Sequence, residues 1–404
     1  MTSNENQKKL AEDLDKVFAE YDSKTHGYLE IAVIGEVSSG KSSFLNALFD
    51  CPKSEPKFSV SARAGETKVV KFELIGSHLR ILDTPGLQDT DKTNSEKTKN
   101  LLNKGVDIGI LVLQGAATES QRANLDLLKE KTNKNGTENF FVVLNKVDQH
   151  SKEILQQIKI QWREVLNLDP NTQIYEVSCK GYDDKDKLID PITSEEMDIP
   201  IDEFGIPKTI RGVQDVKDEI FKVCFSNGKI AFIANAVSQK QPAAMGIIAT
   251  ACAASVGAIL VPGTALIIGA TQATAISSLF FLYKGSFPDK TEVARIMSVF
   301  GKGTGLGLGA VTASFVMSFL PPTGVLELSS IMIIVPYMSA SLLLVNFLLS
   351  KGMEIKNSDT LDHEFERVNK KLIKAVATVN FLDIPKISKA DFWRKLLANV
   401  QITL

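Results

Sequence analysis

The sequence has no Cys-x-x-Cys pair and no histidine at zinc-ligand spacing: Cys51, Cys179, Cys224 and Cys252 are scattered, and there are four histidines in all. That argues against a disulfide framework or a structural zinc site and fits a reduced, cytoplasmic protein. The N-terminus lacks an apolar run behind a basic start; "MTSNENQKKLAEDLDKVFAEY" is polar and then amphipathic, so a secretory signal is not expected. Neither charge dominates. With 46 Lys and Arg against 48 Asp and Glu the chain carries −2, which gives no reason to expect a nucleic acid partner for the whole molecule. The last shortage is local: from Gln241 to Tyr283 there is no Asp, Glu, Lys or Arg, and from Gly303 to Ser350 there is only Glu327. A length of 404 residues, 44% of them hydrophobic, leaves room for about two or three domains with full cores.

What is present begins with "LEIAVIG" (29–35), an apolar run of the kind that forms a buried parallel strand. "KSSFLNALF" follows, with Phe44, Leu45, Leu48 and Phe49 on one helical face. Between the two lies "GEVSSGKS", in which Gly35, Gly40, Lys41 and Ser42 have P-loop spacing. Backbone N–H groups of Ser38, Ser39, Gly40, Ser42 and Ser43 would curl around phosphates at a helix N-terminus. Lys41 would reach the β and γ phosphates, and Ser42 would offer its hydroxyl to Mg²⁺. "LRILDTPG" ends a second strand at Asp83, a carboxylate for the Mg²⁺ shell, and Gly86 is placed to sense a γ-phosphate. "FFVVLNKVD" ends a third with Asn145, Lys146 and Asp148. A carboxylate there can accept from guanine N1–H and the 2-amino group, a pair adenine does not offer. "IYEVSCKG" ends a fourth with Ser178, Cys179 and Lys180, whose backbone N–H groups could meet guanine O6. All four segments are expected at carboxyl ends of strands, where doubly wound sheets bind ligands. The ligand expected is GTP or GDP.

In these motifs the chain resembles P-loop GTPases of the translation-factor-related class over about residues 28–228, and among them Era-like, dynamin-like and immunity-related GTPases. The resemblance implies a switch threonine, mapped to Thr67 with Thr84, Thr90 and Ser61 as nearby alternatives, that closes on Mg²⁺ and the γ-phosphate. Leu87 follows "DTPG" where Ras-like enzymes place the water-orienting glutamine, and Gln88 is one position late. Unassisted hydrolysis is therefore expected to be slow, on the order of ~10⁻⁴ s⁻¹. A backbone carbonyl, a monovalent cation or a partner must then place the water. Ser38 stands where several Era-like relatives hold potassium with asparagine, so a monovalent cation is an open expectation. "GVQDVKDEIFKVCF" (212–225), with Val213, Val216, Ile220 and Val223 on one face, should close this domain after an acidic insertion at about 181–211, read as a surface loop or a partner-docking loop.

The two charge-poor blocks, 241–283 and 303–350, share an order. Each reads helix, Pro/Gly turn (Pro262–Gly263, Pro321–Gly324), more apolar helix, then Lys-Gly (Lys284–Gly285, Lys351–Gly352), as in a duplicated hairpin. Each segment has the ~20 residues that cross ~30 Å of hydrocarbon. Gly301, Gly305 and Gly309 would let helices approach closely, and Pro336 would kink the last segment. Three readings stay open: membrane hairpins, the inside of a soluble bundle, or a bundle that inserts in one nucleotide state. The tail carries an amphipathic helix through Leu361, Phe365, Val368, Leu372 and Val376, then "SKADFWRKLLANV" with Ser388 and Asp391 as capping residues.

The expected fold is thus an α/β P-loop GTPase domain at 28–228 and an all-helical domain at 229–404. By analogy with immunity-related GTPases, a helix from residues 1–27 packs on the latter. The expected function is a GTPase whose nucleotide state controls a helical domain at a membrane, peripherally or integrally, with hydrolysis stimulated by a homodimer, an oligomer or a partner. The alternatives are a cytosolic Era-type GTPase acting on RNA or ribosome assembly, and a slowly hydrolysing GTP-dependent scaffold. The back half shows no dense basic patch with interleaved aromatics, so nucleic acid is not the expected partner.

Overall fold

A computed structural model describes residues 27–60, 71–83, 105–134, 137–258, 264–289, 292–293, 325–352, 368, 371–372 and 374–399. The proposed N-terminal helix, both Pro/Gly turns, Gly301–Gly309 and most of the 358–376 amphipathic segment lie outside these residues. The chain divides into two compact units, one of Gly27–Val223 with Ala236–Gln239, the other drawing on Cys224–Asn235 and residues from Lys240 onward.

The first unit is built on a six-stranded sheet ordered β2-β3-β1-β4-β7-β8. Its strands are β1 (Leu29–Gly35), β2 (Lys71–Ile75), β3 (Leu79–Asp83), β4 (Ile108–Gln114), β7 (Phe140–Asn145) and β8 (Ile174–Glu176). All neighbours run parallel except β2, which pairs antiparallel to β3 at the edge. The α/β fold read from the sequence is the fold observed. β1, β4 and β7 read as unbroken apolar runs because both faces of a parallel strand are covered, and Ile31, Val33, Ile110, Val112, Val142 and Val143 are fully buried. α1 (Lys41–Leu48) starts six residues after β1 and buries Phe44, Leu45 and Leu48. α2 (Ser120–Thr132) follows β4. α3 (Lys152–Leu166) is capped by the Ser151 hydroxyl accepting from the Ile154 N–H, and places Leu155, Ile158, Trp162 and Leu166 on one buried stripe. α4 (Val213–Ser226) buries Val213, Val216 and Ile220, while Val223 is half-buried.

β4 carries no nucleotide motif and was not singled out in the sequence, yet it fills the central place between β1 and β7. Two short ribbons complete the unit, β5 (Asn133–Lys134) with β6 (Thr137–Glu138) and β9 (Lys187–Ile189) with β10 (Glu196–Asp198). The second lies in the insertion expected to be a loop. Its turn is held by the Asp190 carboxylate, which accepts from the backbone of Ile192 at 2.7 Å and Thr193 at 2.9 Å. Those hydrogen bonds keep the Asp190 carboxyl below its ordinary range.

The second unit contains α5 (Ile230–Ala236), α6 (Lys240–Ala258), α7 (Thr264–Lys284), α8 (Val325–Ser350), α9 (Ile384–Ile387) and α10 (Ala390–Asn399). α6 packs against α7, α8 and α10, and α7 packs against α8. Small residues around the whole circumference of α6, among them Ala243, Ala244, Ala251 and Ser255, suit a helix enclosed on every side. Buried polar groups meet one another there. Cys252 Sγ lies 3.0 Å from Ser339 Oγ, Gln272 Nε2 donates to Ser341 Oγ at 3.0 Å, and Tyr283 donates to Asn346 Oδ1 at 2.8 Å. Among the described residues one helix, α6, is long and apolar enough to cross a membrane, and its most apolar stretch is 72% buried within the protein. Pro336 is accommodated inside α8, which continues through it. α7 and α8 both stop at a left-handed glycine, Gly285 and Gly352. Ser388 does not cap α10 as expected: it ends α9, and its hydroxyl donates back to the Pro385 carbonyl because α10 starts two residues later. Asp391 lies in the first turn of α10 and pairs with Arg394 and Lys395.

In the first unit, Lys217 is 5% exposed and its ammonium lies 2.5 Å from Asp50. Asp50→Asn keeps the left-handed backbone that Asp50 adopts (φ 50°) but strands a buried cation. Trp162 reports alone in a Trp393→Phe background, since the chain has 2 tryptophans. In urea unfolding followed by that fluorescence, Asp50→Asn should lose about 3 kcal/mol; a loss under about 1 kcal/mol would mean the pair is solvated.

Candidate functional site

Because β1, β3, β4, β7 and β8 point the same way, their carboxyl ends meet at one edge. At the end of β1 the backbone turns through left-handed conformations at Ser38 (φ 64°) and Gly40 (φ 84°) before α1 begins at Lys41. Gly40 is needed twice over: its φ suits glycine, and a Cβ there would stand 2.4 Å from Asn145 Nδ2. A Cβ on Gly35 would stand 2.2 Å from the Val112 carbonyl, so β1 and β4 can approach only because that position is bare. Lys41 reaches back across the loop, its ammonium donating to the carbonyls of Gly35 at 3.1 Å and Glu36 at 2.9 Å. Ser42 and Ser43 lie half-buried in the first turn of α1.

The residues expected to read guanine lie at and just after the ends of β7 and β8. Asn145 is 2% exposed, and its Nδ2 donates to the Ser39 carbonyl at 3.0 Å. Lys146 donates to the Ser38 carbonyl at 2.7 Å. Asp148 is exposed and accepts the Ser178 hydroxyl at 2.7 Å. Ser178 is fixed by a two-way backbone bridge to Arg211, each N–H meeting the other's carbonyl at 3.0 Å. Thr209 donates its hydroxyl to the Lys180 carbonyl. Asn145 Oδ1 and Ser39 Oγ are buried in this cradle with no hydrogen-bond partner among the described residues, as expected where a polar ligand completes the site.

Asp83 ends β3 in register with Val33, two residues before Gly35. A P-loop hydroxyl and one strand-end carboxylate are the donor set for a Mg²⁺ that keeps most of its water. Among the described residues no group of three or more His, Cys, Asp or Glu could hold a metal. Thr67, Gly86, Leu87 and Gln88, with the alternatives Thr84, Thr90 and Ser61, lie outside the described residues. One participant was not read from the sequence. The Glu36 carboxylate turns toward the start of α2 and accepts from Thr118, Ser120 and Gln121; "GAATESQ" after β4 was the available signal.

The family described as 50S ribosome-binding GTPase matches residues 30–146. The segment is a P-loop GTPase domain. This GTPase domain is similar to the tRNA modification GTPase MnmE of Desulforamulus reducens, with 31% identity over 41% of this chain and 34% of the relative. It is similar to the probable GTP-binding protein EngB of Clostridium beijerinckii at 26% identity over 41% of this chain and 85% of the relative. It is similar also to GTPase Der of a Sulfurihydrogenibium species at 27% identity, over 41% and 38%. The chain thus spans about a third of the MnmE relatives it matches.

Cys179, in the segment that follows β8, is 4% exposed. Burial raises its thiol far above the ordinary range, and the nearby Asp148 charge adds to this. Since the thiolate is the reactive form and all four cysteines are buried, the native protein at pH 8 should give no fast-reacting thiol with a chromogenic disulfide, and four in guanidinium. A stoichiometric fast phase that guanine nucleotide suppresses would contradict this placement of Cys179.

Proposed function

We propose that the chain binds GTP with Mg²⁺ and hydrolyses it, and that the nucleotide state is read by its helical unit. The observation that carries this reading is the Asn145 amide, which ties the base-reading loop to the P-loop at Ser39. Lys41 on the phosphate side and Asp148 on the base side can therefore grip one ligand. In the proposed site Gly35, Ser38, Ser39, Gly40, Ser42 and Ser43 cradle phosphates, Lys41 neutralises them, and Ser178, Cys179 and Lys180 flank the base. Ser42 and Asp83, with Thr67, would hold Mg²⁺, and Gly86 would contact the γ-phosphate. Held there, the metal would supply charge neutralisation during phosphoryl transfer.

The residue after "DTPG" is Leu87 rather than a glutamine, so we infer that a second copy of the chain, a monovalent cation or another protein places the attacking water. Phosphate release per molecule should rise with protein concentration in the first case and with KCl over choline chloride in the second. Flat rates under both leave a slow, scaffold-like GTPase. α6, α7 and α8 cover one another, which supports a packed core in this state. Flotation on liposomes with GDP and with a non-hydrolysable GTP analogue tests whether that core opens onto lipid. A second reading, action on RNA or the ribosome, is favoured by the names of the relatives and would require RNA retention at physiological salt.

Base reading gives the sharpest test. Asn at 148 would present one acceptor and one donor, mismatching guanine's paired donors and suiting xanthine, whose C2 carries a carbonyl. Asp148→Asn should lose about 100-fold in GTP affinity while gaining xanthosine triphosphate binding, since a mispaired polar site rejects strongly. Unchanged guanine preference in a fluorescent-nucleotide competition would sink the assignment.

A further inference from the structure

Glu36 is the second residue of the P-loop, and its two ends are held by different elements. Its backbone carbonyl accepts the Lys41 ammonium at 2.9 Å and the Ser39 N–H at 3.2 Å. Its Oε1 accepts the Thr118 hydroxyl at 2.6 Å, Gln121 Nε2 at 3.3 Å and the Ser120 hydroxyl at 3.4 Å. Gln121, 1% exposed, accepts in turn from Asn124 Nδ2 at 2.9 Å, and Asn124 is 4% exposed. A hydrogen-bonded chain therefore runs from the second turn of α2 through Gln121 to the P-loop. A carboxylate suits this place because the N-terminus of α2 carries partial positive charge. Its cost is a full negative charge inside the loop that would receive phosphates.

We propose that Glu36 is a positioning residue: by bracing the P-loop against α2 it fixes where the Lys41 ammonium and the loop N–H groups point, and so sets phosphate affinity. The inference rests on the nucleotide reading above. It makes α2 and the Gly115–Ser120 segment part of the phosphate site, although neither carries a nucleotide motif. Two physical effects oppose each other at this residue. Bracing predicts that loss of the side chain weakens phosphate binding. Through-space repulsion predicts that loss of the charge strengthens it. The geometry favours bracing, because one oxygen collects three donors and is held on a buried scaffold.

The test uses the full chain and titrates fluorescent GDP and GTP into the parent, Glu36→Ala, Glu36→Gln, Thr118→Val and the Glu36→Ala/Thr118→Val pair, with circular dichroism to verify folding. Losing hydrogen bonds to a charged acceptor should weaken both nucleotides about tenfold in Glu36→Ala, raising KM with kcat retained. Glu36→Gln keeps an acceptor oxygen and should restore affinity to within about twofold, an outcome a general folding role gives no reason to expect. The double variant should be no weaker than Glu36→Ala alone, because both changes cut one linkage. Tighter binding in both Glu36 variants, unchanged binding in Glu36→Ala, or additive losses in the pair would overturn the proposal. If Glu36→Ala fails to fold, weaker binding in Thr118→Val supports it and unchanged binding overturns it. A parent chain that binds neither nucleotide overturns the function proposed above instead, so the two failures are distinguishable.

Discussion

The buried Asn145 amide is the contact on which the parts of this site depend. Asn145 leaves the end of β7 and donates to the Ser39 carbonyl, so the loop that follows β7 cannot move without the loop that follows β1. The geometry of both loops is constrained by that contact. Gly40 must be bare to admit the amide, Ser38 and Gly40 must take left-handed conformations, and Lys146 then falls over the Ser38 carbonyl. Parallel strands on one sheet make such a contact possible: they bring the loops to the same edge, and β4 holds β1 and β7 one strand apart. Preorganisation of this kind lowers what binding costs, because the loop need not be ordered at the moment a ligand arrives.

The second unit solves a different problem. Helices this poor in charge would aggregate or seek lipid if left open, and here α6, α7 and α8 enclose one another. Their polar side chains are placed at the shared surfaces, where Gln272 finds Ser341 and Tyr283 finds Asn346. A buried polar group without a partner costs about 1–3 kcal/mol, so such pairs favour one packing of helices over slid or rotated alternatives. Small residues add close approach, and Gly285 and Gly352 end α7 and α8 alike.

How much of this could be read in the sequence follows from the range of the interactions. That the segments carrying Gly35, Lys41, Asn145 and Asp148 meet at one end of the sheet was legible because each motif's spacing is local and its residue types are restrictive. β1, β3 and β7 were legible because they precede those motifs. β4 was not, since a buried strand with no motif after it looks like any apolar run. The β9–β10 ribbon hid in an acidic, proline-bearing stretch whose pairing is set by the Asp190 turn rather than by alternation. Ser388 looked like a cap because Ser followed by a helical pattern usually is one, and Asp383 had already taken that role for α9. The charge-poor blocks were ambiguous for a reason sequence cannot remove: an apolar helix has the same composition whether lipid or protein surrounds it.

The brace at Glu36 bears on how a nucleotide signal could leave the site. A ligand shifts a conformational equilibrium only by its differential affinity for the two states. GTP and GDP share the base and the β-phosphate, so the groups that hold those parts contribute affinity common to both. On the proposed function, Asn145, Asp148 and the Glu36 brace belong to that shared grip, which should be rigid and indifferent to hydrolysis. The discriminating free energy must then come from groups that meet the γ-phosphate. A P-loop held from both sides sharpens the distinction, because strain at the γ position cannot be relieved by the loop giving way and must pass to whatever else contacts it.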